Sequence, residues 1–220
     1  MKIFFILILS AMTWSTSIAQ YSWDWHDPVD LNIVDFADNK LLLYNAIGLG
    51  LTLQLSEQSP YERKMYRPYI YSSYVDVMYE YSRPPKSDVF VGHFRVGRQL
   101  RRFLVVGGDM GIYKVSDAQV STFGIGFQLY FQWYIVNRDN WKLYYDNGVG
   151  PNVFLEQFPF GGTQFNFSST YGLHIALRVP EMAWITIGVK NLHISNAGIK
   201  GMDRNPALDG LGLSFGYQFY

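Results

Sequence analysis

From Thr122 to Ile135 the sequence alternates without a break, with Phe123, Ile125, Phe127, Leu129, Phe131, Trp133 and Ile135 on one side and Thr122, Gly124, Gly126, Gln128, Tyr130, Gln132 and Tyr134 on the other. A period of two places successive side chains on opposite faces of a β-strand. One face is wholly apolar; the other is polar, aromatic or glycine. The run is longer than the ~5–6 residues usual for a strand of a globular protein, and it matches the ~9–11 or more that a tilted strand needs to cross a bilayer. A strand with hydrocarbon on one side and a packed interior on the other is the expectation that organises the rest of the chain.

Lys2, the apolar run Ile3 to Leu9 and Ser17-Ile18-Ala19 have the charged, hydrophobic and small-residue parts of a secretory signal, with cleavage expected near Ala19. That run is too short for a spanning helix, and no later stretch reaches the ~20 apolar residues such a helix requires. Any membrane span is therefore β. The chain has no cysteine, which excludes disulfides and thiolate metal sites. Lysine plus arginine and aspartate plus glutamate number 18 each, so no global charge points to nucleic acid. The aromatic content of 18% suits a barrel, because tyrosine and tryptophan collect at the two membrane–water interfaces. A soluble aromatic-rich sandwich is the alternative. About 200 mature residues suit a single domain.

Nine alternating segments follow one another: Leu41–Leu55, Tyr69–Tyr81, Val89–Gly97, Leu104–Lys114, Val120–Ile135, Trp141–Leu155, Gln164–Arg178, Ala183–Ser195 and Asp209–Phe219. Turn signals such as Arg83-Pro84-Pro85, Ser116-Asp117, Asn137-Arg138-Asp139-Asn140 and Pro180-Glu181 separate most of them. Bacterial single-chain barrels have an even number of strands. We therefore assign Leu41–Leu55 to an N-terminal extension and expect an all-β fold: an eight-stranded antiparallel outer-membrane β-barrel over residues 69–220. Residues 1–19 form the signal and 20–68 the periplasmic extension. Omitting Val89–Gly97 instead is the competing choice. A barrel this small is filled by its own side chains, which disfavours a pore.

The segment Ala183–Ser195 carries Ile185, Ile187, Val189, Asn191, His193 and Ser195 on its apolar side. If both ends of the barrel lie in the periplasm, the connection from Asn196 to Leu208 is extracellular and His193 and Ser195 sit at the outer leaflet. Asp209 shares the parity of Leu211 and Leu213, so it points outward on the neighbouring strand. A serine hydroxyl becomes a nucleophile when a base within reach takes its proton, and histidine titrates close enough to neutrality to do so. Residues i and i+2 lie about 6.6 Å apart along a strand on the same face, a gap the two side chains can close. A carboxylate then fixes the imidazole tautomer. Asn196 and the backbone amides around Ala197 and Gly198 are candidate donors to an oxyanion.

The run His193-Ile194-Ser195-Asn196-Ala197-Gly198 before the last strand resembles the His-x-Ser-Asn-x-Gly motif of the lipid A 3-O-deacylases, the PagL-type acyloxyacyl hydrolases of Gram-negative outer membranes. Asp146-Asn147-Gly148-Val149-Gly150 and Gly161-Gly162-Thr163-Gln164-Phe165-Asn166-Phe167 are similar to that family too, so the likeness extends from about Tyr69 onward. The resemblance implies an outer-membrane esterase that removes a 3-O-linked hydroxyacyl chain from lipid A. It makes Ser195 the nucleophile and His193 the general base, with Asn196, Gly198 and Asn205 shaping the oxyanion region. The family's third member is a downstream glutamate. No glutamate follows Glu181 here, and Asp209 is the available acid. The implied partners are lipid A or lipopolysaccharide as substrate and the surrounding outer-membrane lipid. No cofactor or metal is implied, and a homodimer in the membrane is compatible with the reading. Arg83, Lys86, Lys200 and Arg204 fall in expected outer loops, where they are candidates for contact with lipid A phosphates or plain solvated charge.

Other signals carry less. Gly212-Leu213-Ser214-Phe215-Gly216 matches the nucleophile-elbow pattern, but no helix follows it. His93 and His174 have inward parity and read as hydrogen-bonded lumen residues, and His26 beside Asp27 lacks a metal-ligand partner at useful spacing. The alternative to an esterase is a non-enzymatic small barrel with a structural or adhesive role. The shared outward parity of His193, Ser195 and Asp209 divides the two readings.

Overall fold

The computed structural model describes residues 69–81, 86–179, 183–198 and 205–219. Eight strands run through them in chain order: β1 (Ile70–Glu80), β2 (Asp88–Arg101), β3 (Leu104–Ser116), β4 (Ser121–Asn137), β5 (Trp141–Phe154), β6 (Phe165–Val179), β7 (Ala183–Ser195) and β8 (Leu208–Phe219). Each pairs antiparallel with the next, and β8 returns to β1 through Tyr71↔Phe219 to Glu80↔Gly210, which closes the barrel. Closure leaves no unpaired strand edge, the condition for backbone polar groups to survive in hydrocarbon. The eight strands expected from alternation are the eight observed. The expected signal, the extension over residues 20–68, Lys200 and Arg204 lie outside the described residues.

The strand that most exceeds its alternating segment is β2. β2 continues past Gly97 to Arg101, with a register shift against β3 between Gln99 and Arg101. Arg98-Gln99-Leu100-Arg101 breaks the apolar–polar rhythm while the backbone goes on pairing, so side-chain pattern alone ends the strand too early.

The outward faces of the strands form an apolar belt that includes Val75, Val77, Phe90, Phe94, Ile112, Ile125, Phe127, Leu173, Ile175, Ile187, Val189, Leu213 and Phe215, all exposed. An apolar surface this continuous would drive aggregation in water and suits contact with lipid tails.

Inside, three layers fill the lumen. At the end where β7 meets β8, Met78, Val89, Val91, Tyr113, Phe154, Phe158, Leu192, Ile194 and Leu208 pack into an apolar plug. At the opposite end Ile70, Val105, Tyr130, Tyr134, Tyr144, Ala176 and Trp184 form an aromatic layer. Between them runs a buried ionic chain. Lys190 Nζ meets Asp76 Oδ2 at 2.6 Å, and His93 bridges Asp76 (2.8 Å) and Asp109 (3.0 Å). Arg95 spans Asp109 (2.7 Å) and Asp146, and His174 Nε2 lies 3.1 Å from Asp146. Charges are tolerated in so buried a place because each carboxylate has two cationic or hydrogen-bonding neighbours. His93 and His174 are thus the hydrogen-bonded lumen residues their parity predicts. The packed interior blocks a solute path, and the plug at the β7–β8 end supports the wall on which the candidate site lies.

Candidate active site

β7 brings Asn191, His193 and Ser195 to the outer side by alternation, because Leu192 and Ile194 between them are anchored in the apolar plug. β8 presents Asp209 directly across from His193 in the antiparallel register, with Leu208 beside it fixed in the same plug. The residues inside the barrel therefore decide which residues meet outside it. His193 Nδ1–H donates to Asp209 Oδ1 at 2.8 Å, an assignment of the proton that follows from the acceptor-only carboxylate. The two side chains are 25% and 17% exposed, so the pair is shielded but not sealed.

Residues of β1, β6 and β7 frame the pair. Tyr81 N–H donates to the Asp209 carbonyl at 3.0 Å, which ties the end of β1 to the start of β8. The Tyr81 hydroxyl accepts a bond from Asn191 Nδ2 at 3.0 Å. Ser169 lies across from His193 on β6, and Phe167 across from Ser195. None of these was singled out in the sequence. Asn191 carried the right parity for it, but Tyr81 reaches the site only because β1 closes against β8.

Ser195 is on the expected face yet only 1% exposed, and its hydroxyl makes no hydrogen bond. The structure thus joins two of the three expected catalytic groups, His193 and Asp209, and leaves the Ser195–His193 bond unmade. A buried hydroxyl without a partner costs about 1–3 kcal/mol, which a fold tolerates chiefly where the group is needed for something else.

The turn after Ser195 is tight. Ala197 and Gly198 have φ of 53° and 73°, left-handed values that wrap the chain tightly around the Asn196 side chain. Gly198 N–H donates to Asn196 Oδ1 at 2.9 Å, and Asn196 N–H donates to Asn205 Oδ1 at 2.8 Å. In this arrangement the Gly198 amide bonds within the local turn. Asn205, buried across the connection, meets Asn196 and helps position the turn. The Ala197 N–H takes no part in these bonds. Lys86 Nζ donates to the Tyr81 carbonyl at 2.8 Å. Among the described residues no group of histidine, cysteine, aspartate or glutamate has the arrangement of a metal site.

Comparison with known proteins adds the family. The model of the lipid A 3-O-deacylase (PagL) family matches residues 108–218, half of the chain, from β3 to the end of β8. This chain belongs to the lipid A 3-O-deacylase (PagL) family. The PagL match begins within β3, so β1 and β2 lie outside it, although the resemblance read from sequence placed its start near Tyr69. The lipid A deacylase PagL of Bordetella bronchiseptica is 34% identical over 89 residues, 40% of this chain and 46% of that protein. The match thus spans about half the length of that relative. The crystal structure of the outer membrane enzyme PagL superposes with a TM-score of 0.50 at 16% identity, covering 67% of this chain and 97% of the other. Neisserial surface protein A gives 0.53 at 12% identity, covering 70% and 97%. An enzyme of the PagL family and a surface protein share this barrel about equally well, so fold alone does not choose between the two functional readings.

Proposed function

We propose that the protein is an outer-membrane esterase that hydrolyses the ester holding a 3-O-linked hydroxyacyl chain on lipid A. The observation that carries this reading is the His193–Asp209 hydrogen bond on the outer wall, two residues along β7 from a buried, unpartnered serine hydroxyl inside the family's motif. A purely structural barrel has no use for an oriented imidazole beside such a hydroxyl at a face that otherwise meets lipid.

The reaction follows from the geometry. Asp209 holds Nδ1, which leaves Nε2 as the atom that receives the serine proton. Ser195 Oγ turns toward His193, loses its proton to Nε2 and attacks the ester carbonyl; nucleophile–base bonds of this kind commonly tighten only when substrate is bound. The Ala197 amide and the Asn196 side chain stand beside Ser195 to stabilise the oxyanion. Collapse expels the sugar oxygen, which takes the proton from His193, and water then releases the hydroxy acid from the acyl-serine. Lipid A occupies the leaflet at the barrel end where β7 finishes, so the substrate reaches the site laterally. Lys200 and Arg204 are proposed to meet its phosphates, and no cofactor is required.

The test is to incubate the purified protein with lipopolysaccharide and weigh the lipid A. Loss of one hydroxyacyl chain supports the esterase. Unchanged lipid A with a folded barrel, judged by heat-modifiable gel mobility, returns the protein to the structural class.

A further inference from the structure

Charged residues of the barrel divide by sign between its two ends. At the end away from the candidate site, the described residues bring together Arg98, Arg101, Arg102, Arg138, Lys142 and Arg178, with Asp139 as the one carboxylate among them. Glu181, in the connection between β6 and β7, does not reverse the sign. At the end that carries His193 and Asp209, the described carboxylates Glu80, Asp88, Asp117, Glu156 and Asp209 outnumber Lys86 and Lys114. A chain with no net charge is thus polarised along the barrel axis.

Hydrogen bonds hold the cationic end as one rim. Asn137 Nδ2 donates to the Arg102 carbonyl at 2.8 Å and Gln99 Nε2 donates to the same carbonyl at 3.2 Å, which fixes the β2–β3 turn against the end of β4. Arg178 N–H donates to the Asn140 carbonyl at 3.0 Å and its Nη1 to the Asp139 carbonyl at 3.3 Å, which fixes the β4–β5 turn to the end of β6. Backbone carbonyls, not carboxylates, take these bonds. Arg98, Arg102, Arg138 and Arg178 are all exposed, and among the described residues none of the four pairs with a carboxylate. Like charges gathered on fixed turns repel one another until an anion joins them.

The position of the rim relative to lipid identifies that anion. Arg98 follows Phe94 and Val96 on the outward face of β2, so it stands where the apolar belt gives way to headgroups. Trp141 on β5 and Tyr217 on β8 are exposed on the outer wall at the same end, the aromatic positions that mark a membrane–water boundary. A guanidinium presents a planar fork of donors that matches two oxygens of a phosphate. We infer that this rim binds the phosphodiester headgroups of anionic phospholipids, of the phosphatidylglycerol type, in the leaflet opposite the candidate site. Cations level with headgroups and flanked by interfacial aromatics fit a lipid better than a soluble polyanion. The contact fixes the depth of the barrel, and with it the level at which His193 and Ser195 stand in the other leaflet. The inference holds whether or not Ser195 is catalytic.

The test places the mature protein in phosphatidylcholine vesicles that contain trace spin-labelled phosphatidylglycerol or phosphatidylcholine with identical chains. The fraction of each label immobilised by the protein gives the headgroup preference directly. Attraction of a basic side chain to an anionic surface corresponds to about fivefold for each arginine that meets a headgroup. Wild type is therefore expected to favour the phosphatidylglycerol label about fivefold or more at low salt, and to approach parity near about 0.5 M salt, where exposed charges are screened. The triple variant Arg98→Gln/Arg102→Gln/Arg138→Gln should bring the ratio close to one, Arg138→Gln alone should give an intermediate ratio, and Lys114→Gln at the opposite end should keep the wild-type ratio. Heat-modifiable wild type without a headgroup preference, a preference that salt does not weaken, Arg→Gln variants that retain it in full, or an equal loss in Lys114→Gln would overturn the inference.

Discussion

Replacing Asp209 with asparagine removes one charge and keeps the shape, which isolates what the carboxylate does for His193. The bond is 2.8 Å, charge-assisted, and between side chains 17% and 25% exposed. Hydrogen bonds to a charged group contribute about 1.5–3 kcal/mol, and at about 1.4 kcal/mol per tenfold this corresponds to a loss of about 10–150-fold in kcat/KM. A fully buried carboxylate in the same role is worth about 10⁴, and the partial exposure here keeps the effect below that figure. An asparagine amide also presents an N–H toward Nδ1 in one of its two orientations, which favours the unproductive tautomer. Stability should barely move, because a pair with this much solvent contact contributes about 1 kcal/mol or less to folding. The assay is release of hydroxy fatty acid from lipid A in detergent under kcat/KM conditions, alongside the temperature at which heat-modifiable mobility is lost. Asp209→Asn protein within threefold of wild-type kcat/KM would refute the orienting role.

Asn205→Ala should free the Asn196 backbone amide and loosen the turn after Ser195, lowering kcat about tenfold or more while the barrel's thermal transition stays within a few degrees; a barrel that unfolds much earlier would make Asn205 a structural residue only. Asp146→Ala strips the shared partner from buried Arg95 and His174, so it should destabilise the lumen by about 3–5 kcal/mol, seen as a lower temperature for heat modification, and a neutral result would contradict the ionic chain as drawn. In planar bilayers the protein should show no steady ion conductance, because the plug and the aromatic layer close the lumen at both ends; discrete channel steps would show that the interior opens.

Side-chain direction was legible in the sequence wherever alternation was strict. Phe123 to Ile135 fixed β4, and the parity of Asp209 with Leu211 and Leu213 was enough to bring it to His193, since antiparallel neighbours with matching faces must meet. What alternation does not encode is register and covering. Tyr81 joins the site only through closure of β1 on β8, a contact between opposite ends of the barrel sequence. The burial of Ser195 was equally hidden, because period two tells which way a side chain points and not what lies above it. The bond at Gly198 was hidden for a local reason: Asn196 bonds within its own turn, and alternation carries no sign that its side chain accepts from the glycine amide. β2 outran its pattern because backbone pairing with β3 persists through Arg98 to Arg101 after the side chains stop alternating.

The Ser195 hydroxyl, activated through His193, is proposed to break an ester of lipid A. Its most direct measurement is the rate of hydroxy fatty acid release by Ser195→Ala protein whose heat-modifiable mobility matches that of wild type. Release is expected at the background of the protein-free control, with lipid A of unaltered mass. Release within tenfold of wild type would contradict it.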